Sequence, residues 1–153
     1  MPITREKFLT PLSREHHHGL LLCWKIRTGF RKNVEIGRIL SYAEWFYKYH
    51  LIPHFEIEEK YVFAVLGNEN ELVKRALKEH RKLRRLFEGL NEDHKNLGLI
   101  EEILDAHIRF EERVLFNEIQ AVASPQELEE ILTRHSDETG LNDNEAWADE
   151  FWK

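Results

Sequence analysis

The sequence predicts an all-α protein: an up-down-up-down four-helix bundle followed by a short additional helix and a tail. Long amphipathic runs carry apolar residues at helical spacing, and no period-two alternation is sustained. Only seven Gly and four Pro interrupt 153 residues, so the breaks between runs are few. One phrase also occurs twice. His54-Phe55-Glu56-Ile57-Glu58-Glu59-Lys60-Tyr61-Val62-Phe63 and His107-Ile108-Arg109-Phe110-Glu111-Glu112-Arg113-Val114-Leu115-Phe116 share His, Glu at four and five, a basic residue at six and Phe at nine.

The elements follow in order. The first helix is expected over about 12–31, with Leu12, Leu20, Cys23, Trp24 and Arg27 along one side. The second is expected over about 34–66, ending at Gly67 as a C-cap. Pro53 lies inside it, removes a hydrogen bond to the Tyr49 carbonyl, and is expected to kink or break the helix just before His54. The third runs over about 71–90 behind the N-cap candidates Asn68 and Asn70. The fourth runs over about 96–122, with Gly98 a weak spot near its start. Short connections between such helices make antiparallel neighbours. Ser124-Pro125-Gln126-Glu127 then offers an N-cap, a first-turn Pro and a capping-box Glu, starting a short fifth helix to about 134. Residues 1–122 are read as the bundle. Residues 123–153 are read as the short helix and an acidic tail with Trp147, Phe151 and Trp152, without independent domain status. The tail docks on the bundle, docks on a partner subunit or stays loose. Its three aromatics favour docking.

On a helix, four residues advance about 400°, which sets His54 beside Glu58 and His107 beside Glu111 on one face, about 6 Å apart. Phe63 and Phe116 are read as returning to that face. Burying a histidine and a carboxylate is costly unless they are paired or bind a metal. His80 on the third helix and His16 or His17 on the first complete one histidine per helix. His16 lies one turn after Leu12, whereas His17 aligns with Leu20, Leu21 and Trp24; His16 is preferred. Four imidazoles and two carboxylates can hold two metal ions, with Glu58 and Glu111 as bridges. Nitrogen and carboxylate ligands with open positions suit non-haem iron that meets dioxygen, and bundle cores house such sites.

Composition narrows the alternatives. The balance of 42% hydrophobic and 33% charged residues is that of one globular domain. A net charge of -6 argues against nucleic-acid or anionic-membrane partners. No run of about 18 apolar residues suggests a membrane span, and the N-terminus lacks a signal-peptide core. The single Cys23 excludes an intrachain disulfide and fits a reducing compartment, so a cytoplasmic location is expected. Nine His and 23 Glu against one Met and one Cys favour iron, with zinc or manganese as alternatives, over soft copper.

Glu15-His16, His54…Glu58-Glu59, Glu79-His80 and His107…Glu111-Glu112 together resemble haemerythrin-like, or HHE cation-binding, domains over about residues 10–120. The resemblance implies a four-helix bundle around two non-haem irons, bridged by two carboxylates and, in many members, an oxo or hydroxo group. It implies dioxygen binding, oxygen or redox sensing, iron handling, or peroxide- or nitric-oxide-related chemistry. Respiratory members carry two histidines one turn apart on the third helix. Here Ala76 precedes His80 by a turn and Arg84 follows it by one, so a ligand of the oxygen-carrier set is missing. The function expected is binding or sensing of dioxygen or a related small oxidant such as peroxide or nitric oxide. A di-iron peroxidase, oxidase or nitric-oxide-related enzyme, or an iron-handling or interaction module, is the alternative. The assembly expected is a monomer or a homodimer joined through the tail.

Remaining residues are assigned plainer roles. His50, a turn before His54, is read as lining the pocket rather than ligating. Glu59 and Glu112 rotate about 140° from the histidine face, to the surface or to a histidine's free N–H. His18 is expected to face solvent, and His94 and His135 are read as non-functional. Cys23 is expected to pack as a small hydrophobe. Trp24, Trp45, Phe46, Tyr47, Tyr49, Phe55 and the Phe residues of the repeat are expected mainly in the core. Arg81, Lys82, Arg84 and Arg85 form a solvated basic strip.

Overall fold

Local sequence signals set most helix ends. α1 spans Thr10–Arg31 with Pro11 in its first turn, and Asn33, at φ 55°, turns the chain into α2, Ile36–Phe46. In this computed structural model, which describes residues 7–91, 94–138 and 147–153, all regular secondary structure among the described residues is helical.

The second run does not break at Pro53. A π turn at Tyr47–Leu51 leads into α3, Ile52–Ile57, which carries Pro53 in its first turn. The wider turn absorbs the missing N–H and the ring clash that would otherwise interrupt the hydrogen-bond ladder. A second π turn, Glu58–Val62, and a 3-10 turn, Phe63–Val65, bring the run to Gly67. Gly67 has φ 88° and its N–H donates to the Phe63 carbonyl, as a C-capping glycine does.

α4, Glu71–Glu88, is capped by Asn70, whose Oδ1 accepts from Leu72 N at 2.8 Å and Val73 N at 3.3 Å. α5, Asn96–Phe110, continues through a third π turn, Glu111–Leu115, into α6, Phe116–Val122. α7 runs Pro125–Glu138, past the expected end near residue 134. Its capping box is complete: Glu127 N donates to Ser124 Oγ at 3.1 Å, and Ser124 N donates to Glu127 Oε1 at 2.9 Å.

α5 packs against both α1 and α4, and α7 packs on α3 and the π turn that follows it. The α1–α5 contact is close at Gly19, where a Cβ would stand 2.7 Å from Ile108 Cδ1. Two apolar clusters result. Leu22, Ile26, Ile39, Phe46, Leu83 and Leu104 belong to one; Leu12, Ile57, Val73, Ala76, Leu115 and Phe116 belong to the other. α1 and α4 pass from the second cluster to the first, and the α2–α3 and α5–α6 runs pass from the first to the second. His16, His54, His80 and His107 fall at the crossing point of each run.

Two aromatics expected in the core are not there: Trp24 is 43% and Tyr49 41% exposed. Arg27 also turns outward, to pair with Glu101. In the tail, Phe151 is buried in the first cluster. No helix among the described residues is long and apolar enough to cross a membrane.

Candidate metal centre

His16, His54, Glu58, His80, His107 and Glu111 are all buried, at 3% exposure or less. Their inward atoms converge. Glu58 Oε2 lies 3.3 Å from His16 Nε2 and 3.2 Å from His54 Nε2. The other oxygen, Oε1, is 3.2 Å from His80 Nε2. Glu111 repeats the division: Oε1 contacts His107 Nε2 and lies 3.6 Å from His80 Nε2, while Oε2 lies 3.8 Å from His16 Nε2. Each carboxylate thus turns one oxygen to the His16/His54 pair and the other to the His80/His107 pair. Two candidate cation groups follow, His16-His54-Glu58 and Glu58-His80-His107-Glu111, with Glu58 common to both.

A second layer fixes the imidazoles. Their Nδ1 atoms pair with carboxylates: His16 with Glu112 at 3.0 Å, His54 with Glu15 at 2.8 Å, His80 with Glu59 at 2.6 Å and His107 with Glu79 at 2.6 Å. The pairs close a ring. α1 supplies Glu15 to His54, the second run supplies Glu59 to His80, α4 supplies Glu79 to His107, and the fourth run returns Glu112 to α1. A proton on Nδ1 shared with the carboxylate leaves the Nε2 lone pair aimed at the centre, the tautomer a metal ligand needs. Arg84 Nη1 further holds Glu59 at 2.8 Å, and Arg75 Nε holds Glu79 at 3.0 Å.

The second and third π turns begin at Glu58 and Glu111 themselves. Such turns recur at functional sites. Beyond each, the chain faces the histidine of the next helix, not its own. Glu59 and Phe63 both meet His80, with ring centroids 5.5 Å apart for Phe63, and Glu112 and Phe116 both meet His16, at 5.1 Å for Phe116. This corrects the reading of Phe63 and Phe116: nine residues at 100° each end half a turn from the starting face.

His17 and His18 are exposed, so His16 alone brings α1's imidazole to the cluster. His50 stays out of it, its ring 5.0 Å from Trp45 and 5.1 Å from Phe46. His94 is exposed. His135, read as non-functional, lies with Nε2 3.1 Å from Glu15 Oε1 and so helps position the partner of His54. Sequence spacing gives no role to Glu15 or Glu79, although each directly precedes a clustered histidine in the chain.

Charge explains what the centre can do. Burial opposes protonation of the imidazoles, but the converging carboxylates outweigh it. His16 is raised to about 9 and His80 to about 10, while His54 and His107 are also raised. Burial likewise opposes ionisation of Glu15, yet His135 and His54 bring it down to about 2. Glu58 is held well below the usual carboxylate range against its own burial, with His54 the leading cause. A cluster whose carboxylates favour positive charge on four histidines is one that could hold cations in place of those protons. The atoms agree: all four Nε2 and both oxygens of Glu58 and of Glu111 are buried without a hydrogen-bond partner. Groups this deeply buried are costly to leave so, and cations between them would satisfy all eight atoms.

A scan of family descriptions matches residues 9–119 to the Hemerythrin HHE cation binding domain. The chain belongs to this family. The match covers all six clustered residues, and domains of this kind bind metal cations. No curated protein and no solved structure matches the chain.

Ala76, one turn before His80, is fully buried and offers no donor, and Arg84, one turn after it, is committed to Glu59. Cys23 is buried and takes no part in either cation group. Its thiol is pushed up to about 12, by burial first and then by Asp105 and Glu101.

Proposed function

We propose that the chain is a non-haem di-iron protein that binds or senses dioxygen or a related small oxidant, at a carboxylate-bridged site inside an up-down-up-down bundle. The observation that carries this reading is the division of Glu58 and Glu111, each with one oxygen toward each histidine pair. The alternating passage of the four runs between the two apolar clusters supports the bundle. His16 and His54 would hold one ion, His80 and His107 the other, and Glu58 and Glu111 both. Bound there, iron supplies reversible one-electron chemistry and open positions for a small oxidant. The chain's own part is to bind and orient. The outer carboxylates fix the imidazole tautomers, and Phe55, Phe63 and Phe116 crowd the histidines and exclude water. An all nitrogen-and-oxygen donor set favours iron, with zinc or manganese as competitors.

The test is elemental analysis with an absorption spectrum after anaerobic ferrous loading and exposure to air. About two irons per chain and near-ultraviolet ligand-to-metal bands are expected. Less than about 0.2 iron per chain, with zinc or manganese taken up instead, would sink the iron assignment.

A second reading rests on Ala76. It lies one turn before His80, where respiratory members of the family carry a further histidine, and an open position there would favour turnover over plain carriage. In that case iron-loaded protein consumes peroxide catalytically and Glu58→Ala abolishes the activity. Consumption that stops at one equivalent per site argues for binding alone.

A further inference from the structure

The cluster is deeply buried, yet one side is approached from the surface. A cavity of about 370 Å³ opens between α1, α2 and the C-terminal segment. Trp45, Phe46, His50 and His18 line its helical side, and Trp147 and Trp152 its outer wall. The wall is fastened. Phe151 is 3% exposed and seats over Gly29, where a Cβ would stand 3.2 Å from its ring. Arg38 donates to both oxygens of Asp149, at 2.8 and 2.6 Å. Lys32 Nζ donates to the Trp152 carbonyl at 3.2 Å, and Lys25 Nζ lies 3.8 Å from the Trp152 ring centroid.

Inward, a second cavity of about 10 Å³ shares His18, Phe46 and His50 with the first and is completed by Leu51, Glu15 and His54. It is room for about one water-sized molecule. Its inner end touches His54, which is in the cluster, and Glu15, which holds His54 in place. The surface cavities beside Lys60 and Ile131 and beside Arg81 and Arg85 touch none of the six clustered residues.

We infer that the tail-walled cavity is the vestibule through which small neutral molecules reach the His16/His54 side of the centre, with Phe46 and His50 forming the size filter between them. The inference rests on the metal reading above for its purpose, but not for its geometry. The throat favours molecules little larger than water, such as dioxygen, peroxide or nitric oxide. The Glu15 carboxylate at its inner end disfavours anions. Larger aromatic reductants stop in the vestibule, among the tryptophans.

Two measurements test it. In metal-free protein, dissolved dioxygen relaxes nearby protons. The route predicts relaxation at Phe46 and Leu51 several-fold above that at Phe110 and Leu128, which are buried to a similar degree in the other cluster. Equal or weaker relaxation at Phe46 and Leu51 overturns the route. In ferrous-loaded protein, Phe46→Trp should slow nitric oxide association about tenfold and slow dissociation alike, leaving affinity within about twofold, because a filter changes rates and not the bound state. Association left unchanged in a folded variant also overturns the route. Should that variant not fold, Leu51→Phe is held to the same result. If the chain takes up no iron, the iron reading fails while the dioxygen relaxation still decides the route.

Discussion

His54 and His107 stand at the same point of two helical runs, each four residues before a buried Glu that opens a π turn. What lies behind them differs. The partner of His54, Glu15, is shared with His135 and lines the narrow cavity under the tail. The partner of His107, Glu79, is held by Arg75, whose guanidinium lies 3.9 Å from the Phe110 ring centroid. An ion pair and an aromatic ring thus close the His107 side, and a cavity opens beside His54. The comparison teaches that the repeated phrase sets the same buried His–Glu pair in both runs, while the neighbours of each copy decide what packs around it.

The largest effects should come from the residues common to both halves. Glu58→Ala or Glu111→Ala is expected to remove both ions and, with them, the rise in Tm on metal loading, since binding to the folded state adds stability by linkage. Metal analysis with thermal unfolding checks it; a variant that keeps one full ion breaks the symmetry of the bridges. Next, His54→Ala and His107→Ala should each lower metal content to about half and lower Tm with it. If stability falls while metal content holds, that histidine is structural.

A smaller effect is expected in the outer ring. Glu15→Gln and Glu79→Gln should each weaken metal binding about 10- to 100-fold in chelator competition, the usual consequence of losing a carboxylate behind a ligand histidine. Equal losses would show that the two copies coordinate alike despite their different surroundings. A loss confined to one would show that only one half binds.

The smallest effect concerns the tail, which walls the cavity next to the narrow one at His54. Arg38 holds the Asp149 carboxyl below its ordinary 3.8. A depressed carboxyl stabilises the docked state above its unfolded pKa, and that contribution is lost as pH falls through the folded value. Tryptophan fluorescence of the tail should therefore begin to change only below about pH 3.8, and Asp149→Asn should remove that step while leaving metal content unchanged. The pair is exposed, so little global stability goes with it.

Much of the fold and of the centre is legible in the chain's local chemistry. Asn70, Gly67 and the Ser124–Glu127 box act as their chemistry requires, because a cap is a contact within a few residues. His54 with Glu58, and His107 with Glu111, share a face for the same local reason. His16 and His17 are separable only weakly by spacing, since neighbouring residues differ by about 100° and apolar residues follow both. Packing of α1 on α5 buries the first and exposes the second. Trp24, expected inside, is left outside in the same way. Pro53 sits in the second run as expected, but the π turn that accommodates it is not readable from spacing, because it depends on how the whole run is held by its neighbours.

The sequence by itself determined the pairs His54–Glu58 and His107–Glu111 and placed His80 and an α1 histidine on facing helices, since spacing along one helix is a local property. Only the tertiary structure decided which carboxylate serves which histidine. His16 meets Glu112 across 96 residues, and His54 meets Glu15 across 39. It also decided that the tail walls a cavity on one side of the centre. Those outcomes depend on which elements become neighbours, and no spacing within one helix encodes that.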